Sequence, residues 1–167
     1  MKHVGWMAVV LLLAACGLQP TGPDDAGQAP TGISPGPTVY FLDSRQELQA
    51  DVFETGRLGT VSDAVTLLLQ GPGGSGLTTG IASTEVTRVE ATVSDSTIVL
   101  KVPVAASEVS PRGIEQIVCT ALANQVQSGG SPTTTVRIVF TIPSTGSDRP
   151  RTCSVLSPSP GRSSPPG

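Results

Sequence analysis

Apolar and polar positions change their period several times along this chain, and each change marks an element. Thr38 to Leu42 is a short β-branched and aromatic run that reads as a strand. Leu48, Ala50 and Val52 alternate with Gln49 and Asp51, which predicts a second, weaker strand with one covered face. The spacing then turns helical. Val61, Ala64, Val65, Leu68 and Leu69 fall on one face, Thr60 with Asp63 forms an N-terminal capping pair, and Gly71-Pro72 stops the helix. Val89, Ala91 and Val93 alternate against Arg88, Glu90 and Thr92. Ser94-Asp95-Ser96 predicts a hairpin turn, after which Ile98, Leu100, Val102 and Val104 alternate against Val99 and Lys101. A second helix is capped by Ser110 with Pro111 in its first turn. Its apolar stripe is Ile114, Ile117, Val118, Ala121, Leu122 and Val126, and Gly129-Gly130 lies just past its end. Val136, Ile138, Phe140 and Ile142 predict the last strand.

The order is ββαββαβ, an α/β chain of the α+β kind. The economical packing is a single two-layer domain over residues 38–156, with one twisted mixed sheet and both helices on one of its faces. The opposite sheet face then carries Arg88, Glu90, Lys101 and Arg137, with Thr92 among them. This mixed-charge surface is the candidate docking face. The Gly-rich stretch Gly73 to Gly76 and the outer flank of the second helix near Arg112 and Glu115 are its rivals.

What precedes the domain is of another kind. Lys2 is followed by Val4 to Ala15, an uncharged, mainly apolar run too short to span a bilayer, which needs about 20 residues. It suits the h-region of a signal peptide, residues 1–15. The run ends in Leu13-Ala14-Ala15-Cys16, which resembles the lipobox of bacterial lipoproteins. That resemblance implies a diacylglycerol on the Cys16 thiol and cleavage before it. The expected location is the extracytoplasmic face of a cell membrane, with the lipid as anchor; two acyl chains suffice for stable anchoring. Residues 16–37, rich in Gly, Pro, Thr and Asp, are expected to form a flexible tether, and the Pro/Ser-rich residues 157–167 a disordered tail.

Cleavage there would remove the only histidine, His3, and the only tryptophan, Trp6. Of the ten basic residues it removes Lys2, leaving nine against thirteen acidic ones. No basic stripe points to nucleic acid. Without histidine no serine or threonine has its usual activating base, and no transition-metal spacing exists. Gly71-Pro72-Gly73-Gly74-Ser75-Gly76 matches a dinucleotide fingerprint by spacing, but it follows a helix rather than a strand. No enzyme activity, cofactor or metal is therefore expected. Cys119 and Cys153 remain, and export would place them in an oxidising compartment where two thiols tend to pair. A disulfide is expected to tie the segment after the last strand to the flank of the second helix.

Several stretches resemble the GerMN domain. They are Val39-Tyr40-Phe41-Leu42, Ala64-Val65 with Leu67-Leu68-Leu69-Gln70-Gly71-Pro72, Gly76-Leu77 with Ile81, Val118-Cys119-Thr120-Ala121-Leu122, and the strand from Val136. The resemblance covers residues 38–142. It departs at Ala82, where a proline is common, and at Ile142-Pro143-Ser144, which lacks the usual Asp-Gly turn. Sporulation and germination proteins and actinobacterial lipoproteins carry this domain. The resemblance implies a protein-interaction role in an envelope, sporulation or signalling assembly, with another envelope protein as partner. The alternative is a binding module for a small solute or cell-wall polymer. The scarcity of aromatic residues, Tyr40, Phe41, Phe53 and Phe140, disfavours it.

Overall fold

The computed structural model describes residues 36–156. Strands β1 (Thr38–Leu42) and β2 (Leu48–Val52) lead into helix α1 (Val61–Gln70), and strands β3 (Glu90–Val93) and β4 (Thr97–Val102) into helix α2 (Pro111–Gln127). Strand β5 (Thr135–Phe140) closes the series. The ββαββαβ order and the α+β class follow the hydrophobic pattern.

Local chemistry sets most of these boundaries. The β1–β2 turn is built on Asp43, whose Oδ1 accepts the N–H groups of Arg45 at 2.8 Å and Glu47 at 2.9 Å. The Glu47 N–H, followed by the Arg45 N–H and its guanidinium charge, outweighs desolvation and holds the Asp43 carboxyl below the usual aspartate range. At the start of α1 the Asp63 N–H donates to Thr60 Oγ1 at 3.1 Å, and the Thr60 N–H donates to Asp63 Oδ2 at 2.9 Å. This reciprocal box satisfies two otherwise orphaned donors. Gly71, at φ 88°, ends the helix in a conformation that side chains resist. Ser110 Oγ accepts the Gly113 N–H at 3.0 Å, and Pro111 occupies the first position of α2.

The single sheet expected from the pattern is in fact two. A two-stranded antiparallel hairpin pairs β1 with β2, and a separate mixed sheet has the order β3-β4-β5, antiparallel then parallel. The β4–α2–β5 passage is a crossover, which a parallel pair requires. The reason for the split lies in α2. Its residues Gln116, Thr120 and Asn124 recur every four positions and so form a stripe within about 80° of the helix surface. All three are buried. The Tyr40 N–H donates to Thr120 Oγ1 at 2.9 Å, and Gln116 Nε2 donates to the Tyr40 carbonyl at 3.0 Å. Asn124 Nδ2 donates to the Thr38 carbonyl at 2.7 Å, and Gln127 Nε2 to Thr38 Oγ1 at 2.8 Å. Further along the same edge, Leu42 and Thr78 exchange backbone hydrogen bonds at 2.9 and 2.8 Å. The helix thus stands where a neighbouring strand would, because buried backbone groups must find partners and these amides and hydroxyls supply them.

Between α2, α1, β1 and the inner face of β3-β4-β5 lies one core. Phe41, Leu68, Ile98, Leu100, Ile117, Leu122 and Ile138 are its largest fully enclosed apolar side chains. The α1 stripe is buried in full. Other expectations shift at the edges. Ala50 and Val52 of β2 face solvent rather than a core, while Leu48 on the same strand packs against it. Val93 and Val126 lie at element ends and are exposed, and β5 stops at Phe140, leaving Ile142 67% exposed. At one place backbones meet closely. A Cβ on Gly113 would lie 2.7 Å from the Gly80 carbonyl carbon, and one on Gly80 would lie 2.6 Å from the Gly113 nitrogen. The segment before Ile81 therefore runs directly against the first turn of α2, where the Gly80 N–H donates to Gln116 Oε1 at 2.7 Å.

Candidate functional site

Strand parity decides what the outer face of β3-β4-β5 presents. Ile98, Leu100 and Val102 point inward with Val136, Ile138 and Phe140, so Thr97, Val99 and Lys101 point outward beside Thr135, Arg137 and Val139. Glu90 lies directly across from Lys101 in the β3–β4 register, and their side chains form an ion pair at 3.0 Å. Arg137, in register with Val99, reaches Asp148 at 3.7 Å. Both pairs are exposed and each is worth at most about 1 kcal/mol, so they fix a charge pattern more than they stabilise the fold. Val99 and Val139 lie between the charges; Val139 is 40% exposed.

Three of the four residues of the candidate docking face, Glu90, Lys101 and Arg137, thus share one surface. Arg88 does not join them through a bond. It precedes β3, is exposed, and lines a shallow depression beside α1 with Ser62, Asp63, Thr66 and Glu90. Strand β3 starts only at Glu90, because the Ser62 hydroxyl of α1 takes the Val89 carbonyl. Among the rival surfaces, Gly73 to Gly76 forms an exposed loop with Gly73 and Gly76 at positive φ. Arg112 donates to Glu115 at 2.6 Å on the α2 flank.

Cys119 and Cys153 are disulfide-bonded, with their Cα atoms 4.9 Å apart and both side chains buried. The returning chain reaches α2 because Arg151 first forms an antiparallel bridge with Val136, both N–H···O bonds being 2.8 Å. Cys16 lies outside the described residues, as do residues 1–15, expected as a signal peptide, most of residues 16–37, expected as a tether, and residues 157–167, expected as a tail. Among the described residues no helix is long and apolar enough to cross a membrane, and no three metal-ligating side chains gather.

Sequence reasoning missed two features. One is the polar stripe of α2, which was legible as Gln116, Thr120 and Asn124 recurring at four-residue intervals inside an apolar helix. The other is a cleft between α2 and the returning segment, signalled only by Arg149-Pro150-Arg151 just before Cys153. No model of a known protein family, no curated protein and no solved structure matches this chain.

Proposed function

We propose that this protein is an extracytoplasmic lipoprotein, anchored through Cys16, whose folded part is a GerMN-like protein-interaction domain that docks another envelope protein. The observation that carries the reading is the buried Cys119–Cys153 disulfide, which suits an oxidising compartment outside the cytosol. It agrees with the signal-like residues 1–15 and the lipobox-like Leu13-Ala14-Ala15-Cys16. The docking face is the outer surface of β3-β4-β5, where Glu90, Lys101 and Arg137 accompany the half-buried Val99 and the exposed Val139. Charges so arranged steer association and fix orientation more than they add affinity.

Two measurements in intact cells test this. Cys16→Ser is expected to move the protein from the membrane fraction to a soluble or unprocessed form; retention of the variant in the membrane refutes the anchor. Lys101→Glu with Arg137→Glu is expected to abolish crosslinking to the partner while export and melting temperature stay near wild type. Undiminished crosslinking refutes the docking face.

A further inference from the structure

A cleft of about 360 Å³ opens between the first two turns of α2 and the segment that returns from β5. Its α2 wall includes Ile114 and Val118, and its other wall carries Arg149, Arg151 and Thr152. Arg149 and Arg151 flank Pro150 where the chain leaves a turn, and both line the cleft. The wall is held at both ends. Arg151 is bridged to Val136, and Cys153 is bonded to Cys119.

The charge here is one-sided. Glu115 also lines the cleft, but its carboxylate is engaged by Arg112 at 2.6 Å. Asp148, the acidic neighbour in sequence, is turned to Arg137 at 3.7 Å. Neither Arg149 nor Arg151 has a carboxylate partner among the described residues. Arg151 Nε is moreover buried and meets no acceptor there. A buried donor with no partner is uncommon in folded proteins and calls for an explanation. The guanidinium fork matches a carboxylate in two-point geometry, while the α2 wall offers apolar contact.

We propose that this cleft is a binding site for a carboxylate carried on an apolar stem, as at the C-terminus of a peptide that ends in an aliphatic residue. The carboxylate accepts from the terminal N–H groups of the Arg149 and Arg151 guanidiniums; the aliphatic group packs on Pro111 and Ile114. The site does not depend on the anchor or on the sheet face proposed above.

The test is a titration of the isotope-labelled full chain in detergent micelles, read by nuclear magnetic resonance at the arginine Nε–H groups. Three probes are used: N-acetyl-leucine, its uncharged amide, and inorganic phosphate. N-acetyl-leucine is expected to shift the Arg151 Nε–H saturably, with the millimolar affinity typical of so small a ligand. The amide and phosphate are expected to bind at least tenfold more weakly, the first lacking the charge and the second the stem. Arg151→Lys, read at the Arg149 Nε–H, is expected to weaken N-acetyl-leucine roughly tenfold through loss of the planar fork. Arg149→Gln, at an exposed position, tests the second guanidinium without disturbing the fold. Unfolding midpoints accompany both variants. No saturable shift, equal binding of the amide or of phosphate, or unchanged affinity in a folded Arg149→Gln protein each overturns the proposal.

Discussion

Replacing Cys119 and Cys153 together by alanine removes the cross-link without leaving a reactive thiol, and the expected cost follows from chain statistics. The bond closes a loop of 34 residues. In the chain-entropy model such a loop removes about 12–13 cal/mol/K from the unfolded ensemble, about 3.8 kcal/mol at 25 °C. The native state should change little, because the Arg151–Val136 bridge still holds the returning segment two residues before Cys153. The loss therefore falls mainly on the unfolded side, with a smaller addition from the two buried sulfurs. A domain of this size has an unfolding entropy of roughly 250 cal/mol/K, so the melting temperature is expected to fall by about 15 °C. Net stabilities of 5–15 kcal/mol are usual, which makes this a large fraction of the total. Urea unfolding followed by far-ultraviolet circular dichroism is the assay, since the sole tryptophan, Trp6, lies outside the domain. The m-value is expected to rise as the unfolded chain expands. A loss below about 1 kcal/mol with an unchanged m-value would refute the reasoning. So would two free thiols at these positions in the unreduced, denatured wild type.

Gln116→Leu keeps the volume of the side chain but strands the Gly80 N–H and the Tyr40 carbonyl, and is expected to destabilise by roughly 2–4 kcal/mol in urea unfolding. A loss under about 0.5 kcal/mol would mean that α2 is not what closes the β1 edge. Gly113→Ala forces α2 away from Gly80, and a cost of about 1–3 kcal/mol is expected in thermal unfolding, where helix propensity alone predicts a gain. Tyr40 is the only tyrosine, so alkaline absorbance titration reads it alone. Burial raises its pKa above the usual 10.0, which places its midpoint above that of the urea-unfolded chain. The corresponding stability is present below the unfolded value and is lost as pH rises through the folded one. A native midpoint at or below the unfolded one contradicts that burial.

Much of this protein was legible before any tertiary structure. Periodicity located both helices and all five strands, since a period of 3.6 or 2 is a local property of the chain. The Thr60–Asp63 box, the Gly71 stop, the Ser110 cap and the Ser94–Thr97 turn were equally visible, because each joins residues within a few positions. The disulfide was legible as the pairing expected of Cys119 and Cys153 in an oxidising compartment. Tertiary structure alone decided which backbone edges meet. The sheet divides because Thr38 and Tyr40 bond to side chains 76 to 89 positions later in α2, a pairing no local pattern reports. Tertiary contact also set Arg88 beside α1, before the start of β3 and outside the ladder that carries Glu90, Lys101 and Arg137. It likewise drew Arg149 and Arg151 against Ile114 and Val118 to make a basic cleft. The alternation of side chains states which face of an element is apolar; what covers that face, and what satisfies its edge, depends on segments brought together only when the whole chain has collapsed around one core.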